Sequence, residues 1–376
     1  MENPAALSAC IRRAITAAPI LALALTIMPL GVHAEAFTQR VPAPDFATKV
    51  WLNSRPLTLK QLHSKVALID FWEYTCINCI RTFPYLRRWQ QLYAPAGLVI
   101  IGVHTPEFEF GKNPKNVADA VKRFGFTFPI AVDSDSDIWN AFHAGGWPMD
   151  YLIDKDGNIA YVHSGEGDYA EMEREIQTLL KERNPKLNFA SARYAITKDE
   201  EASMMGGICR RESPETYLGF LRGNNIANPG GEDRAMEVHY LAPSDVPLDN
   251  FALNGDWLAG DEYVRHTRSS SGLRDAVQLH YQAKSVYLVA GSDDATPRPL
   301  YITQDGNPIP ANAHGVDVKT DASGRTYIEL TGKRMYYVAE NPGFETHTLA
   351  LYATTPGVSL YSFTFGNNCE SKFAHR

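Results

Sequence analysis

A chain of 376 residues is long enough for two or three domains. Its hydrophobic share of 44% and charged share of 21% exclude a disordered or fibrous protein. Lys and Arg number 36 against 43 Asp and Glu, a net charge of −7 with no basic block, so there is no nucleic-acid footprint.

Arg12 and Arg13 precede an apolar run over residues 14–30 that contains Pro19 and Pro29. Val32-His33-Ala34 and Ala34-Glu35-Ala36 both offer small-x-small cleavage sites. Residues 1–36 therefore have the form of a secretory signal peptide, cut after Ala34 or Ala36, which sends the protein to the periplasm or another extracytoplasmic space. The alternative is an uncleaved anchor in the inner membrane, which the length of the run allows and its prolines oppose. Cleavage removes Cys10 and leaves Cys76, Cys79, Cys209 and Cys369, an even number that permits disulfides after export.

Residues 41–45 are Pro-rich and extended. Residues 46–59 alternate around Asn53-Ser54-Arg55-Pro56, which predicts a hairpin, and a helical turn follows at 60–63. The continuous apolar run at 65–71 predicts a buried strand. Cys76-Ile77-Asn78-Cys79 then opens an amphipathic helix ending near Tyr93, in which Pro84 predicts a kink. A second buried strand is expected at 98–103. Asn113 as N-cap, Pro114 at the first helical position and Gly125 as a stop bound a helix over 113–125. A strand at 128–132 and a helix at 136–143 come next. Strands at 149–154 and 158–163 are joined through Lys155-Asp156-Gly157, a hairpin signal. The last helix spans 168–183, with Asp168 as N-cap.

This alternation implies an α/β domain over 37–183, a mixed sheet covered by helices. Residues 184–203 are polar, broken by Pro185, and have the character of a linker. From 204 to 376 short alternating runs recur between Gly, Pro, Asn and Asp without a helical period, which predicts an antiparallel β-sandwich or barrel.

The chemistry centres on the two cysteines. A Cys-x-x-Cys between a buried strand and a helix is a redox dithiol candidate. A zinc site would need two more ligands, and no second Cys-x-x-Cys or His-x₃-His exists, so no metal or other cofactor is expected beyond the Cys76–Cys79 pair itself. Cys76 stands at the helix N-terminus, where unpaired N–H groups and the helix dipole favour the attacking thiolate. Cys79, on the same helix face, would resolve the mixed disulfide.

Asp70, six residues before Cys76, can lie beneath the pair. Burial there would raise its pKa and let it exchange a proton with Cys79; the ordinary alternative is a strand-end carboxylate paired with a lysine. Trp147-Pro148 precedes a strand. A cis bond would turn the Trp147 backbone toward the sulfurs, although spacing alone leaves trans the commoner state. Trp147, Pro148, Trp72, Ile77 and Asn78 are assigned to the substrate groove. His104, Glu107 and Glu109 follow the 98–103 strand at the end where α/β sheets place function, but a solvated loop is the commoner fate of such residues. His143 and His163 lack partners at metal spacing and have the look of structural histidines.

Asp-Phe-Trp-x-x-x-Cys-x-x-Cys with a later x-Pro before a strand resembles the thioredoxin superfamily, and the insertion between Thr105 and Gly145 resembles its redoxin/TlpA-like branch. In that superfamily the matching proline is cis and borders the active site, so the resemblance assigns Pro148 that role and Asp70 the role of the buried aspartate. More specifically, Phe-Trp-Glu-Tyr-Thr-Cys-Ile-Asn-Cys-Ile-Arg-Thr-Phe-Pro-Tyr-Leu is similar to the periplasmic C-terminal region of DipZ-type proteins. So are residues 102–108, Glu215-Thr216-Tyr217-Leu218-Gly219 and Gly315-Val316-Asp317-Val318. In those proteins a β-sandwich similar to carbohydrate-binding modules follows the thioredoxin-like domain. They also carry a CcdA-like membrane domain in front, where this chain has a signal segment. The resemblance therefore implies an electron donor of CcdA/DsbD-like type supplied in trans.

The expected function is an exported thiol–disulfide oxidoreductase that reduces protein disulfides, with cytochrome c maturation as one setting. Oxidase or isomerase activity stays open, as does a glycan- or partner-binding protein with a vestigial dithiol. Cys209 and Cys369, near the two ends of the all-β part, are expected to form one structural disulfide. Trp257, Tyr263, Tyr281, Tyr287 and Tyr301 could stack on a glycan if exposed; core packing is their commoner use.

Overall fold

The computed structural model describes residues 35–190, 210–223, 225–292, 294 and 296–367, with side chains from Arg40 onward. The first part has strands β1 (Glu35–Pro42), β2 (Trp51–Leu52), β3 (Val66–Trp72), β4 (Leu98–His104), β5 (Ile130–Val132), β6 (Met149–Ile153) and β7 (Asn158–Ser164). Its helices are α1 (Leu59–Leu62), α2 (Ile77–Tyr93), α3 (Pro114–Phe124), α4 (Asp137–Phe142) and α5 (Tyr169–Arg183). The sheet order is β1-β7-β6-β3-β4-β5-β2. The β3–β4 and β4–β5 pairs are parallel, and the β3–β6 and β6–β7 pairs are antiparallel. This is a mixed sheet of thioredoxin-like topology.

β3 sits at its centre and is buried throughout because helices cover both faces. Val66, Leu68 and Trp72 pack under α2, α3 and α5. Ala67, Ile69 and Phe71 pack toward Leu62, Ile138 and Phe142. Burial of each large apolar side chain is worth about 1.5–3 kcal/mol, so this strand is a poor candidate for local opening. α3 is bounded as expected: Asn113 Oδ1 accepts from the Lys115 N–H at 3.0 Å, and Gly125 ends it at φ +66°.

Two expectations fail. The 46–59 segment forms no hairpin, because Trp51 and Leu52 pair instead with Ala131 and Ile130 on β5. The start of the expected linker is part of the first domain: Phe189 is buried, with its ring edge-on to Tyr93 at 5.5 Å. Residues 191–203 lie outside the described residues.

From Arg210 on, the described chain is all β. Its strands form one 11-stranded sheet, folded over a core that includes Phe251, Trp257, Leu279, Leu288, Leu351 and Phe363. The fold is made by the long strand Ala276–Ser292, which pairs with Asn250–Ala259 through its first half and with Val358–Gly366 through its second. Trp257, Tyr281 and Tyr287 are buried, so packing accounts for them, while Tyr263 and Tyr301 are half-buried. Cys209 and Cys369 lie outside the described residues.

Candidate active site

β3 carries the chain to the dithiol. Past Trp72 it leaves the sheet through Glu73, Tyr74 and Thr75, and the Cys76 N–H bonds back to the Glu73 carbonyl at 3.3 Å. Cys76 is the N-cap of α2, with φ −82° and ψ 111°, and its Sγ accepts from the Cys79 N–H at 3.2 Å. A helix N-terminus has orphan N–H donors, and here one of them is satisfied by the reactive sulfur. Cys76 is half-buried, Cys79 is fully buried, and both are free thiols.

The Trp147-Pro148 bond is cis. The Trp147 carbonyl faces Cys76, whose Sγ donates to it at 3.8 Å. The Pro148 carbonyl accepts from the Gly165 N–H at 2.8 Å, and the Trp147 ring lies 4.5 Å from Trp139. The cis bond therefore sets the Trp147 carbonyl against Cys76.

Burial pushes the Cys76 thiol up; hydrogen bonds with Cys79 pull it back, and the charges of Glu107 and Glu215 push it further up. Burial pushes Cys79 well up, with added contributions from Cys76 and Asp70. Of the two sulfurs, that of Cys76 is the more accessible and the one held by an N–H donor. Asp70 lies on the α2 face of β3, opposite Asp150 on β6, and both are buried. Burial first, then the facing Asp150 charge, raises Asp70 well above an ordinary carboxylate. The ordinary alternative for Asp70, a lysine pair, is not found among the described residues.

Two groove assignments are corrected. Trp72 is fully buried, with its indole edge-on to Phe83 at 5.6 Å and Phe126 at 5.2 Å. Ile77 is covered by the second domain, in a cluster with Phe108, Tyr287, Val289, Met335 and Tyr361. Asn78 stays half-buried at the edge, its Oδ1 accepting from Arg81 at 3.2 Å.

Strand β4 ends in His104, which is fully buried, stacked on Tyr74 at 5.3 Å and 3.5 Å from Glu73 Oε1. The other Glu73 oxygen accepts from both the N–H and the hydroxyl of Thr75. This buried cluster braces the loop before Cys76. Glu107 accepts from the Tyr217 hydroxyl at 2.6 Å and from Arg222 at 3.0 Å, so it joins the two domains beside the dithiol, while Glu109 is exposed. Sequence reasoning missed Asp150 and the contacts of Tyr217 and Tyr361 with the first domain. An acid inside the apolar strand at Asp150 was a usable signal; the domain contacts had none.

Residues 38–180 match the Redoxin family, and residues 213–366 match the family described as "Thioredoxin like C-terminal domain". With the fold and the Cys-x-x-Cys in place, the first match puts residues 38–180, the first domain, in the redoxin branch of the thioredoxin superfamily. Within it, the chain is 34% identical to Protein DipZ of Mycobacterium bovis and of Mycobacterium tuberculosis over 86% of its length. It covers 43% of those proteins, so it spans under half the length of these curated relatives. Thiol-disulfide oxidoreductase ResA of Geobacillus thermodenitrificans is 29% identical over 45% of this chain and 97% of its own. A solved thioredoxin-like protein in the oxidised form is 30% identical, covering 38% of this chain and 97% of its own with a TM-score of 0.35.

Proposed function

We propose that the protein is an exported thiol–disulfide oxidoreductase that reduces disulfides of proteins outside the cytoplasm. The observation that carries this reading is Cys76 at the N-cap of α2, its sulfur between the Cys79 N–H and the Trp147 carbonyl, with Cys79 buried behind it. Cys76 thiolate attacks one sulfur of a client disulfide, and the other client sulfur leaves with the electron pair of the broken bond. Cys79 loses its proton and attacks Cys76, and the second client sulfur leaves in the same way. The client gains two electrons and two protons, and Cys76 and Cys79 end as a disulfide. Asp70, whose charge is felt at Cys79, is the proton acceptor.

The reducing direction is supported by the thiols themselves. A couple is a strong oxidant when its reduced form is stabilised, as by a low-pKa thiolate. Here burial raises both thiols, which withdraws that stabilisation.

Export rests on the 1–36 segment, and apocytochrome c thiols are one client class suggested by the DipZ likeness. Each turnover leaves the pair oxidised, so an electron donor, of CcdA/DsbD-like type by the DipZ likeness, is part of the reading. If the second domain binds a glycan, as the resemblance to DipZ-type proteins implies, Tyr263 and Tyr301 are the half-buried aromatics named above that would meet it.

Insulin reduction by dithiothreitol, followed by turbidity, tests the proposal. Wild type accelerates it and Cys76→Ser does not; equal rates for the two favour a binding protein with a vestigial dithiol.

A further inference from the structure

Three polar side chains stand in one row across the sheet beneath the dithiol. Asp70 on β3 is directly opposite Asp150 on β6, and Asp150 is directly opposite His163 on β7. Opposed residues of antiparallel strands share a face, with Cβ atoms about 4.5–5.5 Å apart. The face is the one under α2, because Leu68, Leu152 and Tyr161, two positions away on the same three strands, pack there with Cys79. On its other side Asp70 neighbours Gly102 of β4, which has no side chain to offer.

All three are buried, at 1%, 5% and 6% exposure. Apart from the facing carboxyl of the Asp70–Asp150 pair, neither Asp70 oxygen, nor Asp150 Oδ1, nor His163 Nε2 has a hydrogen-bond partner among the described residues. Two facing carboxyls and an imidazole in a dry sheet cost desolvation and return little packing, so stability does not explain them.

We propose that Asp70, Asp150 and His163 form a proton path that carries the Cys79 proton to solvent as the mixed disulfide is resolved. This rests on the dithiol reading above and adds the route by which the proton leaves. The Cys79 S–H bond breaks and its proton goes to an Asp70 oxygen. The freed sulfur pair forms the Cys79–Cys76 bond, and the client sulfur departs with the electrons of the mixed disulfide. Asp70 hands a proton to Asp150, Asp150 to His163 Nε2, and the imidazole releases one from its outer side. There it meets the Gly165 backbone and the charges of Asp168 and Glu171, beside exposed Ser164. Reduction of the disulfide runs the path backward.

The protonation states suit the task. Asp70 faces Asp150 and Cys79, and Asp150 faces Asp70. Burial and mutual charge raise Asp70, and burial raises Asp150, so the pair keeps a shared proton into the neutral range. Burial lowers His163, leaving a neutral ring that can accept one. Asp150 and His163 are thus positioning residues that act through Asp70.

Single turnover of the reduced full chain with 5,5′-dithiobis(2-nitrobenzoate) separates the steps. The first thionitrobenzoate release reports attack by Cys76, and the second reports resolution by Cys79. Asp150→Asn and His163→Gln should slow the second phase about tenfold or more and flatten its pH profile, with the first phase within about twofold. His163→Gly should regain the second phase when imidazole is added. Asp150→Ser serves if the asparagine variant does not fold. Second phases with wild-type rate and pH profile in the folded variants overturn the path while the dithiol reading stands. Wild type that releases no thionitrobenzoate overturns the dithiol reading instead.

Discussion

Arg81 Nη2 donates to the Tyr287 hydroxyl at 3.4 Å, and the guanidinium carbon lies 5.5 Å from the centre of the same ring. Arg81 is five residues past Cys76 on α2, and its Nη1 also reaches Glu166 at 3.1 Å and Asn78 at 3.2 Å. The second domain is therefore fastened to the helix that carries the dithiol.

Loosening that contact should expose the site. Tyr287→Ala removes a buried ring from the cluster that covers Ile77, at an expected cost of about 3–5 kcal/mol. Urea unfolding should show the loss, and iodoacetamide should alkylate Cys76 faster under native conditions. A variant with wild-type stability and alkylation rate contradicts the proposed cover.

The carboxylates around the Cys76 sulfur make a second prediction. Burial raises Glu107 to about 8, and its charge, with that of Glu215, raises Cys76. Glu107→Gln removes the negative charge that develops as pH rises through about 8, and should lower the Cys76 pKa. The pH profile of Cys76 alkylation should shift to lower pH, with the rate difference growing as pH rises through about 8. An unmoved profile shows that the Glu107 charge does not reach the sulfur.

The Asp70–Asp150 pair predicts how stability varies with pH. Both carboxyls are raised on folding, so between the ordinary carboxylate pKa of about 4 and the raised values the native state keeps protons that the unfolded chain has lost. Their contribution is fully present below that window and is lost as pH rises through it. The reduced thiols act in the same sense above about pH 8.5. Urea midpoints measured from pH 5 to 8 should fall for wild type and fall less for Asp70→Asn. Equal slopes would show that the pair is not raised.

Thr75 gives a test of the loop before Cys76. Its N–H and hydroxyl both serve the buried Glu73 carboxylate. Thr75→Val removes the hydroxyl donor and should cost about 1–3 kcal/mol in chemical denaturation. A neutral substitution would mean that Glu73 is held by other groups.

The first domain could be read from the sequence because its signals are local. Asn113, Pro114 and Gly125 bounded α3, continuous apolar runs marked β3 and β4, and a glycine turn marked the β6–β7 hairpin. Cys76, Cys79, Asp70 and Pro148 were singled out by spacing and resemblance, and the structure brings the first three and Trp147 together. What escaped depends on pairing at a distance. The β2 pairing replaced a hairpin that the turn residues suggested. The Asp70–Asp150–His163 row exists only through strand register, which three separate segments cannot disclose. Ile77 and Trp72 flank the cysteines in sequence, but one is sealed by the second domain and the other by the core.

The reduction potential of the Cys76–Cys79 couple, measured by equilibration with glutathione buffers, tests the central claim most directly. The reducing direction proposed for the pair predicts a value near that of thioredoxin, about −270 mV. A value near that of DsbA, about −120 mV, would mean that the reduced pair is stabilised after all, and that the protein makes disulfides rather than breaking them.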